Sequence, residues 1–190
     1  MGIIYGVIGI SGVGKSYLVN CAVKKYCPNL KKLVAVTTRP KRPNEIDGED
    51  KYFLSKEQFM QERENMVFIR SIYGAYYGFK TQDLKSNNKL IVELYYKDFL
   101  KMKKEKYDMK GIYIWTPRRR YRKGIVKKRY CEYIPFLRRE IADIIINIIH
   151  KILLKLGLFD YIICNQYDEL SKQKILSIID EKGDYNDFSR

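Results

Sequence analysis

An apolar run from Ile3 to Ile10 leads into Gly9-Ile10-Ser11-Gly12-Val13-Gly14-Lys15-Ser16, and a segment of helical character follows from Ser16 to Tyr26. The eight residues satisfy G-x-x-x-x-G-K-[ST] in full, in the strand-to-helix setting that gives the pattern its meaning. Glycines let a backbone wrap an anion so that successive amide hydrogens and a helix N-terminus face it. The loop is therefore expected to cradle a polyphosphate with Gly9, Ser11, Gly12, Val13, Gly14, Lys15, Ser16 and Tyr17. Lys15 is expected to reach the β- and γ-phosphates, and Ser16 to offer its hydroxyl to Mg2+.

The rest of the chain alternates strands and helices. Leu33 to Val36 reads as a short strand, and Thr37 to Phe53, with two prolines and Gly48, as irregular backbone or a small inserted sheet. Ser55 and Gln58 form a capping box for a helix through Arg63. Val67 to Ile72 and Ala75 to Phe79 read as strands joined near Gly74. Lys89 to Tyr95 and Lys110 to Trp115 are strand candidates with a charged helix, Asp98 to Lys106, between them. Thr116-Pro117 opens one helix, Pro135 a long one ending near Gly157, and Asp168 caps a last one reaching Glu181 after a strand from Phe159 to Cys164. Such alternation implies an α/β fold with a parallel sheet covered on both faces.

Composition narrows the partners. The chain of 190 residues carries 37 Lys+Arg against 22 Asp+Glu, a formal charge of +15, which favours anionic ligands. Cys21, Cys27, Cys131 and Cys164 form no C-x-x-C pair and His150 stands alone among isoleucines, so a zinc site is not expected. The apolar stretch from Ile141 to Phe159 is broken by Asp143, Asn147, His150, Lys151 and Lys155, which reads as a packed helix and not a membrane span. No secretory signal is visible, so a cytoplasmic chain with free thiols is expected. His150, Trp115 and the cysteines are assigned to packing.

Two further blocks are more specific than the glycine-rich loop. Thr37-Thr38-Arg39-Pro40-Lys41-Arg42 continues through Glu45-Ile46-Asp47-Gly48 to Tyr52-Phe53, and Gly74-Ala75-Tyr76-Tyr77-Gly78 follows. Together with Phe159-Asp160-Tyr161-Ile162-Ile163-Cys164-Asn165, these residues resemble the guanylate kinase family over nearly the whole chain. The resemblance implies a P-loop kinase core, residues 1–36, 80–117 and 135–182. It also implies an inserted module for a nucleoside monophosphate (NMP), residues 37–79, and an arginine-rich lid at about 118–134. The implied reaction moves the γ-phosphoryl group of ATP, with Mg2+, to a nucleoside monophosphate. Arg39, Arg42 and Tyr77 match the clamp on the acceptor phosphate, with Lys51, which can still serve an anion, where the family has a tyrosine, and paired guanidinium forks suit a phosphate monoester physically. Asn165 matches the family's adenine contact, and Glu45 or Asp50 is placed to brace the arginines.

Residues 118–129 hold eight cations, Arg118, Arg119, Arg120, Arg122, Lys123, Lys127, Lys128 and Arg129, interleaved with Tyr121. In a lid, Arg129 with Arg138 and Arg139 would join Lys15 in stabilising the transferring phosphoryl. As a basic patch with interleaved Tyr121 and Tyr130, the same stretch would instead bind nucleic acid. Glu93, at the end of its strand, would complete the metal site with Ser16. The family's guanine-reading positions differ: Arg70 replaces an acid, Phe79 a small hydroxyl residue and Tyr95 a second acid. Guanine's N1–H and amine are donors, and an arginine offers only donors. A base rich in acceptors, such as a pyrimidine carbonyl, is expected to suit Arg70, Phe79 and Tyr95 better. The alternatives are a catalytically inactive binding module for a phospho-ligand or nucleic acid, or a kinase of another phosphorylated small molecule. A monomer or homodimer is expected.

Overall fold

The computed structural model describes residues 2–72, 74–129 and 133–181, the side chains at 133 and 134 excepted. Tyr130, Cys131, the lid segment 130–132 and the tail from Gly183 lie outside the described residues. β1 (Ile4–Ile8) is buried along its whole length, as a strand with a helix layer on each side must be. It is the middle strand of a five-stranded sheet with β2 (Leu30–Lys32), β7 (Lys89–Glu93), β8 (Met109–Trp115) and β9 (Tyr161–Cys164), in the order β2-β7-β1-β8-β9. All its pairings are parallel.

Successive side chains point to opposite faces of this sheet. Tyr5, Val7, Ile91, Ile112 and Ile163 meet Leu18, Val19, Ile175 and Ile178 from α1 (Lys15–Tyr26) and α7 (Glu169–Ile179). Ile4, Ile8, Leu90, Val92 and Tyr113 meet Phe99, Met102 and Leu153 from α4 (Tyr96–Lys104) and α6 (Tyr133–Lys155). His150 is packed edge-on to Tyr96 and Tyr113 and driven down to about 4, first by burial and then by the charge of Lys15. Trp115, assigned to packing, is 40% exposed instead.

A second sheet is inserted between β2 and β7. It runs β4 (Tyr52–Phe53), β3 (Ala35–Thr37), β6 (Ala75–Lys80), β5 (Met66–Ile72). The strand expected from Leu33 to Val36 instead straddles the crossing between sheets: β2 ends in the large sheet at Lys32, Leu33 and Val34 link the two, and β3 starts the small one at Ala35. Ser55 caps α2 (Lys56–Gln61) with both bonds of the expected box, Gln58 N–H to Ser55 Oγ at 3.1 Å and Ser55 N–H to Gln58 Oε1 at 2.9 Å. α2 ends earlier than expected and a 3-10 turn, Arg63–Asn65, leads into β5. Between β6 and β7 lies a short helix, α3 (Thr81–Leu84).

Three helix starts differ from expectation. Thr116 accepts from Arg118 N–H at 3.2 Å and α5 (Arg119–Arg129) begins only after that turn. α4 starts at Tyr96, so Asp98 lies in its first turn and is buried. α6 starts at Tyr133 and holds Pro135 in its first turn, where the missing N–H removes no helical bond.

Candidate active site

The loop after β1 opens at the carboxyl end of the parallel sheet, next to the end of β7, where Val7 pairs with Glu93. Gly12 and Gly14 take φ of 77° and 89°, a region that favours glycine. At Gly14 a Cβ would stand 2.3 Å from Asn165 Nδ2, so space excludes a side chain as firmly as conformation does. Lys15 Nζ donates to the Gly9 and Ile10 carbonyls at 2.8 and 3.0 Å, folding back over the loop. Burial drives its pKa down to about 8, against the opposing pull of Glu93. Ser16 Oγ donates to Glu93 Oε2 at 3.1 Å, so the two oxygen donors expected for a metal stand together.

A cavity of about 740 Å³ spreads from this loop to the inserted sheet. Of the residues expected around a polyphosphate, Gly9, Ser11, Gly12, Gly14, Lys15, Ser16 and Tyr17 line it. Val13 is buried and does not. Arg39, Arg42, Lys51 and Tyr77 stand at the far wall, with Arg70 and Tyr95. Arg129 and Arg139 close the side. Seven cations, Lys15, Arg39, Arg42, Lys51, Arg70, Arg129 and Arg139, thus face one space in which, among the described residues, Glu93 is the only lining carboxylate. Burial also lowers the Lys51 pKa, with Glu93 opposing. A cavity so charged is built for a polyanion.

Glu45 organises the phosphate wall. Its Oε2 accepts from Arg39 Nη1 at 2.7 Å and from the Arg42 backbone N–H at 2.9 Å, and Oε1 accepts from Arg39 Nη2 and, at 3.4 Å, from Arg42 Nη1. Burial alone would raise this carboxyl, but the Arg39 and Arg42 bonds and charges hold it down at about 2. Asp50, the other candidate brace, accepts from Ile46 N–H at 2.9 Å and stabilises the loop instead.

Three expected site residues are placed elsewhere. Phe79 is fully buried in the core with Phe68 and Leu94 and does not line the cavity. Arg138 is exposed on α6 and is not part of the lining. Asn165 is buried, donating to Val13 C=O at 2.8 Å and accepting from Tyr167 N–H at 2.8 Å, so both ends of its amide tie the P-loop to the turn after β9. Asp168, not Asn165, caps α7.

Arg70 reaches the cavity through a bulge. Val67 pairs with Phe79 and Arg70 with Tyr77, so β5 carries one extra residue, and Phe68 there has a φ of 54°. The extra residue sends the Phe68 ring into the core and Arg70 to the same face as Tyr77. The guanidinium lies 5.5 Å from the Tyr77 ring and 5.7 Å from the Tyr95 ring, and bonds the buried carboxylate of Asp98. Burial lowers its pKa to about 10, leaving it charged at neutral pH. Arg70, Tyr95 and Arg139 also border a second cavity of about 590 Å³ on the side of α4 and α6.

The basic stretch divides in two. Arg122 is buried, bonding Glu140 at 2.8 and 3.1 Å, Asp143 at 3.1 Å and the Ser11 carbonyl at 3.1 Å. Arg139 Nε donates to Ser11 Oγ at 2.6 Å and lies 3.3 Å from Asp143. The acids that balance α5 therefore come from α6, and together they pin both helices to the P-loop. Sequence reasoning missed Tyr167 as a site residue: its hydroxyl donates to Gly12 C=O at 2.7 Å and its ring packs 4.6 Å from Tyr121, both lining the cavity. The resemblance at Asn165, two residues earlier, was the nearest signal.

The family model described as guanylate kinase matches residues 3–182. The chain is 26% identical over 186 residues to a guanylate kinase of Thermotoga maritima, covering 94% of this chain and 86% of the relative. It is 26% identical over 184 residues to a guanylate kinase of Halalkalibacterium halodurans, covering 94% and 87%. Among solved structures it is similar in fold to the guanylate kinase from Anaplasma phagocytophilum, with a TM-score of 0.65 and 20% identity over 98% of this chain and 87% of that one.

Proposed function

The chain belongs to the guanylate kinase family, and on that premise we propose that it transfers the γ-phosphoryl group of ATP to a nucleoside monophosphate across the 740 Å³ cavity. The observation that carries this reading is the common lining: the P-loop with Lys15 and Ser16 faces the Arg39–Arg42 fork across one cleft.

The P-loop amides and Lys15 bind the polyphosphate of ATP. Lys15 leaves the Gly9 and Ile10 carbonyls to do so, an exchange of two neutral acceptors for a charged one that favours the ligand. Tyr121 and Tyr167 offer their rings to the adenine end, since Asn165 has both its polar atoms engaged within the protein. Arg39 and Arg42, held apart and aimed by Glu45, grip the acceptor phosphate with Lys51 and Tyr77. Arg129 and Arg139 stand beside the transferring group, whose charge spreads over equatorial oxygens in the transition state. Preorganised cations are most of the catalysis such a transfer needs, and no general base is required.

A hydroxyl and a carboxylate are the hard oxygen donors that magnesium takes, so Ser16 and Glu93 fit this ion and would hold it alongside phosphate oxygens. Bound there it neutralises phosphate charge. Cys21, Cys27 and Cys164 are free thiols, in keeping with a cytoplasmic setting where ATP is abundant. Among the described residues no helix is long and apolar enough to cross a membrane.

The test is a coupled ADP-release assay with ATP, Mg2+ and a panel of nucleoside monophosphates. ADP release that requires the monophosphate supports the reading. ATP hydrolysis indifferent to every monophosphate would overturn it.

A further inference from the structure

α6 carries more apolar surface than its own core covers. Its inward face packs Ile149, Leu153 and Leu154 into the core and buries Glu140, Asp143 and His150 beside them. Its outward face carries Leu137, Ile141, Ile144, Ile145, Ile148 and Ile152, continued by Leu156, with exposures from 43% to 66%. A surface helix ordinarily has one apolar stripe, toward the core, and a polar face outward. The inward charges are explained, because they clamp Arg122 and Arg139 onto the P-loop. The outward isoleucines have no such role, and no described residue covers them.

We propose that this face is the interface of a homodimer, with α6 of one copy lying against α6 of the other. Three features select a second copy as the occupant. The first is area: seven half-exposed large side chains offer on the order of 700 Å² per copy, beyond the patch of an ordinary monomer and close to the ~800 Å² per partner of a standard interface. The second is spacing. Leu137, Ile141, Ile144 and Ile148 follow one another at intervals of four, three and four, the seam that two helices need to interlock side by side. The third is self-complementarity, which a two-fold interface demands. From Ile141 to Ile148 the exposed face holds only isoleucine, with no charge to meet its own copy, and the stripe runs about 30 Å.

Charge sets the character of the association. The exposed cations near the stripe, Arg138 at one end and Lys151 and Lys155 at the other, have the same sign. An antiparallel pair brings these ends together, so salt should strengthen the dimer by screening them. An anionic lipid surface, the other occupant an apolar stripe flanked by cations could take, would be weakened by salt.

Sedimentation velocity of the full chain from about 1 to 200 μM, at 0.1 and 0.5 M NaCl, tests this. The expected result is a concentration-dependent shift from 22.7 kDa to twice that mass, tighter at the higher salt. Ile144→Asp and Ile148→Asp should each weaken association at least a hundredfold, and the milder Ile144→Ser at least tenfold. All three should keep the circular-dichroism melt and the turnover of the parent. A chain that stays monomeric throughout the range overturns the proposal. So does a dimer indifferent to Ile144 and Ile148, or a monomer whose stripe binds vesicles of 30% phosphatidylserine at low salt. Turnover is read separately, so failure of the kinase assignment leaves this result standing.

Discussion

Arg70 and Asp98 form an ion pair between β5 and the first turn of α4, 28 residues apart in sequence, with the guanidinium flanked by the rings of Tyr77 and Tyr95. The pair ties the inserted sheet to the core at the wall where an acceptor base would lie. Its side chains are 18% and 7% exposed, so little water screens it.

Removing one partner of such a pair leaves a poorly solvated charge. Asp98→Ala is expected to destabilise the chain by about 3 kcal/mol, whereas Asp98→Leu combined with Arg70→Leu should lose clearly less. Urea unfolding of the two variants and the parent decides it. A loss under about 1 kcal/mol for Asp98→Ala would mean that water already solvates Arg70.

Glu45 gives the phosphate wall a pH limit and a mutational signature. Its folded pKa of about 2 lies below the usual 4.5, so its contribution is complete above about pH 4.5 and fades as pH falls toward 2. Arg42→Ala should cut kcat/KM for the acceptor by about ten- to a hundredfold, the loss of one charge-assisted bond of roughly 1.5–3 kcal/mol. The KM for ATP should change less than threefold. Steady-state kinetics with each substrate varied separately checks this, and an equal loss on the ATP side would move Arg42 out of the acceptor site.

Lys15 gives the opposite, basic limit. Burial holds its folded pKa near 8, below the ordinary 10.5, so raising the pH through 8 removes the charge that ATP needs in the free enzyme. The kcat/KM for ATP should fall above about pH 8, while folding stability gains between pH 8 and 10.5, where only the unfolded chain still holds that proton. Lys15→Ala should lower kcat about a thousandfold with no loss in the melt, and its residual activity should lack the basic limb.

The parts of this site legible in the sequence are those set by local spacing. Gly9 to Ser16 fixes its own loop, and Arg39 and Arg42 sit three residues apart beside the carboxylate that aims them. What escaped is set by distance in sequence. The β5 bulge decides whether Phe68 or Arg70 meets Tyr77, and only the closed sheet shows it. Asp98 reads as a helix-start residue until α4 brings it beside β5. Arg122 looks like one lid cation among eight, yet it is the buried one, because its acids arrive from the next helix. Phe79 shares a strand with Tyr77 but ends in the core, so the bulk expected against the base is not there.

Base choice follows from what remains at that wall. Arg70, Ile72, Ala75, Tyr77, Leu94 and Tyr95 line it, and Glu93, the one lining carboxylate among the described residues, bonds Ser16 at the phosphate end. Guanine's 2-amino group therefore meets no carboxylate, whereas its O6 and N7, and the carbonyls of pyrimidines, suit the donors of Arg70. IMP, which differs from GMP by that amino group alone, should be accepted within about threefold of GMP, and dTMP or UMP as well as GMP or better. Arg70→Glu, made together with Asp98→Asn so that two carboxylates do not face each other, should restore a preference for GMP over IMP by supplying the missing acceptor. The measurement is kcat/KM for GMP, IMP, dTMP, UMP and CMP on both proteins. A parent preference for GMP over IMP of about a hundredfold, roughly 2.7 kcal/mol, would show that another group accepts from guanine and that Arg70 does not set the choice.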